Sequence, residues 1–257
     1  MLSIDINCDI GESTTLWPYN IDNDLGLLPY VSSINIACGY HAGDPATAVR
    51  LIKAAIPLNI AIGAHPSFPD REHFGRMEMH LEEKDLYRII FEQIETLGSM
   101  AISNGIKIQH VKPHGALYNM AAKDHRLAYI FCNAVSAYDE DLMIYGLSGS
   151  EMLKVAEGMG MKSCNEVFAD RTYQDNGELT PRTAVNALIG DDNDALQQVL
   201  DMILTSTVQS TSGRKIIIKA ETICIHSDGN HAMTFARRIY EMMKTQGIHI
   251  CNPKAFF

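Results

Sequence analysis

The chain lacks a long hydrophobic run, a cysteine pair at metal or redox spacing, and any block of positive charge. Each absence closes off a class of function. No stretch of roughly 18 apolar residues occurs, which a membrane-spanning helix requires. The six cysteines, Cys8, Cys38, Cys132, Cys164, Cys224 and Cys251, are scattered. None forms a C-x-x-C pair, so neither a zinc ribbon nor a thioredoxin-type motif is supported. Lys and Arg number 21 against 31 Asp and Glu, a formal net charge of −10. That balance argues against nucleic acid or an anionic membrane as a partner. A bound anion would need a local pocket of Lys and Arg. Asp5 interrupts the N-terminal apolar stretch, so no signal peptide is expected. With unpaired thiols this predicts a reduced, cytoplasmic protein. Three motifs are also missing: the G-x-x-x-x-G-K-[ST] phosphate loop, a complete G-x-G-x-x-G (Gly158 and Gly160 lack the third glycine), and the G-x-S-x-G nucleophile elbow. No linker, low-complexity tract or clear repeat divides residues 1–257, which predicts one domain.

What is present is a strand–loop–helix pattern that recurs. Ser33 to Ala37 is a short apolar, β-branched run that reads as a buried strand. It breaks at Gly39, presents His41, and reaches Asp44-Pro45, a capping carboxylate followed by a proline suited to the first helical position. Ala48, Leu51, Ile52 and Ala55 then fall at helical spacing. Further strands are expected at 2–8, 60–64, 106–111, 142–145, 163–168, 215–219 and 221–225. Helices are expected at about 22–29, 82–104, 117–136 and 194–209, with one opened by the capping-box spacing Ser148-x-x-Glu151 and a last one capped by Asp228. Alternation of this kind implies parallel strands with helical crossovers. The 257 residues match the ~250 typical of a (β/α) barrel.

Polar side chains follow nearly every expected strand: Asp9, His41, His65, Lys112 with His114, Glu166 and His226. An open sheet gathers its site at one switch point, whereas a barrel collects residues from many strand ends into one mouth. The spread favours an α/β barrel, irregular or seven-stranded because one repeat is weak. Asp9, His41 and His65, at three successive strand ends, suit a divalent metal such as zinc, or else hydrogen-bonded anchoring of loops. Period two places His110, Lys112 and His114 on one face. Lys112 suits an anion, and His114 suits proton transfer. Glu166, Asp170 and Arg171 form a charged cluster. Arg171 there is either a carboxylate clamp or part of a structural ion-pair network. Asp70 and Arg76 lie in a long loop, 67–80, of the kind that often serves as a lid.

The chain resembles the LamB/YcsF family. The resemblance rests on Asp5 to Glu12, Asn35 to Pro45, Gly63 to Pro66 with Pro69-Asp70 and Phe74-Gly75-Arg76, Val111 to Asn119, Glu166 to Tyr173, and Ile223 to His226. It implies a barrel related to metal-dependent polysaccharide deacetylases. It also implies ATP-dependent opening of 5-oxo-L-proline to L-glutamate, with two partner subunits that share the nucleotide. Asp9, His41, His65, Lys112 and His114 are then the catalytic candidates. Asn7, Glu12, Asn35, Asp44, Arg76, Glu166, Asp170, Arg171 and His226 are the substrate-binding candidates. Two further readings stay open: a non-catalytic binding role within a complex and a stand-alone metal-dependent amidohydrolase or deacetylase. The formation of a homo-oligomer is open as well. The chain departs from the family pattern at Ser13-Thr14-Thr15, at His226-Ser227-Asp228 and at Arg182 to Ala187.

Overall fold

The computed structural model describes residues 2–18, 20–226 and 232–253, with His226 described in its backbone only. In chain order the elements are β1 (Ser3–Ile10), α1 (Ile21–Leu27), β2 (Ser33–Ala37), α2 (Pro45–Ala55), β3 (Ala61–His65), α3 (Glu83–Ser103), β4 (His110–Val111), α4 (Gly115–Ala121), α5 (His125–Tyr138) and β5 (Met143–Leu147). They continue as α6 (Glu151–Gly158), β6 (Ser163–Phe168), α7 (Asp192–Leu204), β7 (Thr207–Gln209), β8 (Lys215–Ile217), β9 (Thr222–His226), α8 (Ala232–Thr245) and β10 (His249–Ile250). Strands β1-β2-β3-β4-β5-β6-β9 pair in parallel, and β9 pairs back onto β1. The result is a closed seven-stranded barrel wrapped by helices, as the strand-end pattern predicts. Strand β10 adds to the start of β1 on the edge that β2 uses further along.

Period two decides what each strand residue faces. In β1, Ile4, Ile6, Cys8 and Ile10 point outward beneath the helices, as do Ile34, Ile36, Ile62, Ile144, Val167, Ile223 and Ile225 in other strands. All are buried. Each such side chain contributes roughly 1.5–3 kcal/mol by leaving water. The inward positions are mostly polar: Asp5, Asn7 and Asp9 of β1, Ser33 and Asn35 of β2, His110 of β4, Glu166 of β6 and Thr222 of β9, again all buried. A buried polar group without a partner is costly, so these side chains bond across the strands to one another. Asp5 accepts from the hydroxyls of Ser32, Ser33, Tyr145 and Thr222. Gly63 leaves the space that the His110 ring occupies; a Cβ there would overlap the imidazole. That ring stacks on Tyr145, with centroids 4.0 Å apart.

Several elements differ from expectation. The helix expected at 117–136 is two helices, because Asp124 accepts from the Leu127 N–H and starts a new one. Helix α6 is capped by Ser150, whose hydroxyl accepts from Leu153, and not by Ser148. Helix α7 ends at Leu204. Residues 207–209 and 215–217 then form an antiparallel hairpin outside the barrel, so the strand expected at 215–219 is no barrel member. Asp44 caps α2 with Pro45 at its first position, as predicted. The Asp228 cap lies outside the described residues.

Two expected outcomes follow from the polar interior. Burial pushes the Asp5 carboxyl up to about 6, against the pull of its four hydroxyl donors. A folded-state value above the unfolded one means stability present below pH 4 and lost as pH rises through 6. At 1.36 kcal/mol per unit, the loss is on the order of 3 kcal/mol. Denaturant unfolding at pH 4 and pH 7 should show the wild type losing that much relative to Asp5→Asn; a constant difference would contradict the assignment. Gly63→Ala should destabilise by about 1–3 kcal/mol through overpacking against His110, read from the urea midpoint.

Candidate active site

Lys112 follows β4 and sends its ammonium into the barrel. Its Nζ lies 2.7 Å from Glu166 Oε1 and 2.9 Å from Asp9 Oδ1, with Asn7 Oδ1 at 3.3 Å and Cys224 Sγ at 3.1 Å. Burial alone would pull the Lys112 pKa down; Asp9, Cys224 and Glu166 reverse this and hold it well above the usual range. Lys112 is therefore a fixed cation. Asn7 Nδ2 donates to Glu166 Oε1 and Asn35 Nδ2 donates to Asp9 Oδ1, which locks both carboxylates. His110 Nε2 lies 2.7 Å from Asn35 Oδ1 and donates to it. Burial, with the Lys112 charge beside it, lowers His110 to about 3 and keeps it neutral.

Above this layer, Glu12 meets three imidazoles. Glu12 Oε1 lies 3.0 Å from His41 Nε2, 3.1 Å from His114 Nδ1 and 3.6 Å from His65 Nε2. The far nitrogen of each ring is committed elsewhere. His65 Nδ1 donates to the Lys112 carbonyl at 2.7 Å, and His114 Nε2 donates to the Phe74 carbonyl at 2.9 Å. His41 Nδ1 donates to Ser67 Oγ at 2.8 Å, since that hydroxyl gives its own proton to the Phe68 carbonyl. The near nitrogens of the neutral rings thus carry lone pairs, and they face a carboxylate oxygen. Asp9 Oδ2 stands 3.4 Å from His65 Nε2. Gly75, at φ +67°, brings the loop after β3 against His41 and His114, where a Cβ would collide with both.

Acceptors facing acceptors need positive charge between them. Burial would raise Glu12, but a proton shared with His114 or His41 supplies that charge and a hydrogen bond and holds the carboxyl well below the usual carboxylate range. His41 is lowered to about 3 by burial and by His114, against the pull of Glu12. For His65, Asp9 and Glu12 outweigh burial and raise the ring, so it is the imidazole suited to hold a proton. Glu12, Asp9 and Glu166 set three carboxylates against the one ammonium of Lys112. The donor atoms of Glu12, His41 and His114 all lie within 4.8 Å of one another. Two nitrogens and one carboxylate, with two of the rings anchored through their other N–H to carbonyl or hydroxyl, fit a divalent cation. The expected set is Asp9, His41 and His65; the donors that come together within that distance are Glu12, His41 and His114, with His65 and Asp9 beside them. Asp9 is tied to Lys112 and also stands beside His65, whereas Glu12 meets all three rings.

The mouth above is a cavity of about 460 Å³, lined in part by Glu12, Asp9, His65 and His114, by Tyr118 and Phe168, and by Arg76, Arg171 and Arg182. Tyr118, Phe168 and Arg182 are additions to the expected list. Arg171 is no open clamp: its guanidinium donates to the carbonyls of Thr180 and Ala187. Burial and the nearby Arg182 charge lower it to about 10. Asn7, Asn35 and Glu166 lie below the mouth inside the barrel, and Asp170 is not among its lining residues. Asp44 is an exposed helix cap away from the mouth. Asp70 accepts from the N–H groups of His73 and Met77 and shapes the loop that carries Arg76. The backbone of His226 pairs beside Asp9; its side chain lies outside the described residues. Equilibration with zinc followed by elemental analysis should give about one ion per chain, lost in Glu12→Gln and in His114→Ala. A wild type that holds none, or variants that keep it, would refute the fit.

The chain is similar along its length to known proteins. The A subunit of a 5-oxoprolinase from Bacillus cereus is 46% identical over 255 residues, covering 99% of this chain and 100% of that one. Its counterpart from Bacillus subtilis is 44% identical over 250 residues, 97% of this chain and 96% of that one. The crystal structure of a lactam utilization protein from Thermus thermophilus superposes with a TM-score of 0.89 at 34% identity, over 97% of this chain and 99% of that chain. A family 4 carbohydrate esterase from Streptomyces lividans shares the fold alone, with a TM-score of 0.51 at 12% identity over 96% of this chain and 91% of that chain. No helix among the described residues is long and apolar enough to cross a membrane. The LamB/YcsF family model matches residues 4–256, and the chain belongs to the LamB/YcsF family.

Proposed function

We propose that this chain is the A component of an ATP-dependent 5-oxoprolinase and that its barrel mouth opens 5-oxo-L-proline to L-glutamate. The observation that carries the reading is the convergence of Glu12, His41, His65 and His114 above the Lys112–Asp9 pair, in a chain similar end to end to proteins of that name. A five-membered lactam is an unstrained amide, and ring closure competes with its hydrolysis. The reaction therefore needs an activated carbonyl, an oriented water and a proton for the departing nitrogen.

This chain's residues suit the last two needs. Glu12 Oε1, kept ionised, accepts a proton from an attacking water. His65 Nε2, backed by Asp9, delivers a proton to the nitrogen as the C–N bond breaks. Lys112 holds Asp9 in place for this and is itself held by Glu166 and Asn7. Ser67 and the Phe74 carbonyl keep His41 and His114 in one tautomer each. A divalent ion held by Glu12, His41 and His114 would supply a lowered water pKa and a polarised carbonyl. The sequence has no phosphate-loop motif, so at least part of the carbonyl activation by ATP falls to two partner subunits.

The test is glutamate formation by the chain reconstituted with those partners. ATP-dependent turnover is expected, with Glu12→Gln or His65→Ala lowering kcat by about 100-fold or more. Turnover without ATP and partners would support a stand-alone amidohydrolase instead. Unchanged rates in both variants would leave only a binding role.

A further inference from the structure

Helix α3 turns an apolar stripe to the barrel, with Leu86, Ile90, Ile94 and Leu97 along it. Gln93 lies on the same stripe and is 1% exposed. An amide at such a place is costly unless its donors and its acceptor are met. The bonds that Gln93 makes explain its presence there. Its Oε1 accepts from the Ser67 N–H at 3.0 Å. Its Nε2 donates one hydrogen to the Ser67 carbonyl at 2.9 Å and the other to the Ile89 carbonyl at 2.8 Å. One side chain thus grips both main-chain groups of Ser67, two residues past the end of β3, and ties them to the helix.

Ser67 is where this loop meets the site. Its hydroxyl, fully buried, donates to the Phe68 carbonyl at 3.0 Å and accepts from His41 Nδ1 at 2.8 Å. The carbonyl just before it, that of Pro66, accepts from the His114 N–H at 2.8 Å. A grip on the main chain of Ser67 fixes the direction of its Cα–Cβ bond, and with it the side from which the hydroxyl reaches His41. With Nδ1 bonded to Ser67, the His41 ring presents Nε2 to Glu12 Oε1 at 3.0 Å. The path runs from the Gln93 amide through the Ser67 main chain and hydroxyl to His41, and no link in it is longer than 3.0 Å. Gln93 is not among the residues lining the mouth, so it acts only through Ser67.

We propose that Gln93 is a positioning residue of the site: it holds Ser67 so that His41 keeps a proton on Nδ1 and turns Nε2 toward Glu12. The link is read from these hydrogen bonds alone, whereas its bearing on turnover rests on the function proposed above.

The test compares Gln93→Met, which keeps a long unbranched side chain but not the amide, with Ser67→Ala and with Leu97→Ala, a truncation on the same stripe. The first readout is the His41 Nδ1–H resonance of the full chain without added metal, followed by NMR. It should be resolved and slow to exchange in the wild type and in Leu97→Ala. In Gln93→Met and Ser67→Ala it should vanish or exchange at least about tenfold faster, the loss of one hydrogen bond's worth of protection. The second readout is zinc affinity against a competing chelator. Gln93→Met should weaken it by about 10- to 100-fold, the usual effect of losing a group that orients a ligating imidazole. Leu97→Ala should stay within about threefold of the wild type, since it shares no partner with His41. A role confined to stability would lower the unfolding temperature of Gln93→Met and leave the Nδ1–H resonance as in the wild type, and that result overturns the proposal. Where Gln93→Met does not fold, Gln93→Glu takes its place: it keeps the acceptor for the Ser67 N–H and loses both donors. It should show the same faster exchange, and a wild-type resonance there overturns the proposal as well. A wild type that binds no zinc ends the metal fit, and the Nδ1–H resonance alone then decides. Neither readout uses turnover, so failure of the lactam reading is told apart from failure of the positioning role.

Discussion

The ammonium of Lys112, buried in the axis of the barrel, is the constraint on which the rest of the structure depends. An unpaired charge there would cost several kcal/mol, and removing one partner of a buried pair typically costs about 3–5 kcal/mol. Asp9 and Glu166 must therefore stay close, and the asparagines must face them. That requirement reaches down through Asn7 to Thr222 and across through Asn35 to His110. Most barrels of this type fill their interior with branched apolar side chains. Here the apolar contribution comes from the outward faces of the strands, and the inward faces form one hydrogen-bonded network. Such a network stiffens the positions of its members, because each bond fixes the groups on either side of it. Rigidity is what a site needs if it is to hold lone pairs against one another.

The upper layer uses that rigidity. His65 is anchored by the carbonyl of Lys112 itself, so the fixed lysine also fixes the imidazole beside it. His41 and His114 are anchored by the loop after β3, through Ser67 and the Phe74 carbonyl. Their rings stack, with centroids 3.8 Å apart and planes 4° from parallel. The left-handed turn at Phe74 and Gly75 lets that loop lie so close. The chemistry above is thus held from two directions: from the barrel interior for His65 and Asp9, and from the loop for His41 and His114.

How far this is legible in the sequence depends on the distance over which each cause acts. Strand alternation, the Asp44-Pro45 cap and the gathering of polar residues at strand ends are local signals, and the barrel follows from them. The shared face of His110, Lys112 and His114 is visible as period two, although Pro113 ends the ladder early. Asp9 shows the limit. Ending β1 at Cys8 leaves Asp9 in the loop, within reach of two histidines. The strand runs on to Ile10, so Asp9 stays inside the barrel at the level of Lys112. Gly11, at φ +73°, then turns the chain so that Glu12 takes the rim position. Two residues of strand length decide which carboxylate meets all three rings, and no local pattern sets that length. Arg171 is illegible for another reason. Its partners are backbone carbonyls of Thr180 and Ala187, and carbonyls leave no trace in residue identity. Arg182 lies within the stretch where the chain departs from its family's pattern, and its place at the mouth follows only once the loop's fold is known.

The charge of the molecule makes the same point about scale. A chain of net charge −10 repels anions at long range. Its mouth nevertheless presents Arg76 and Arg182 beside a cavity whose floor carries Glu12 and Asp9. Over a screening length of about 8 Å at physiological salt, the arrangement of nearby groups outweighs the sum over the surface. The carboxylates at the floor and the guanidinium groups at the walls set opposite signs within one cavity, so a small ligand there meets the local field and not the net charge of the molecule.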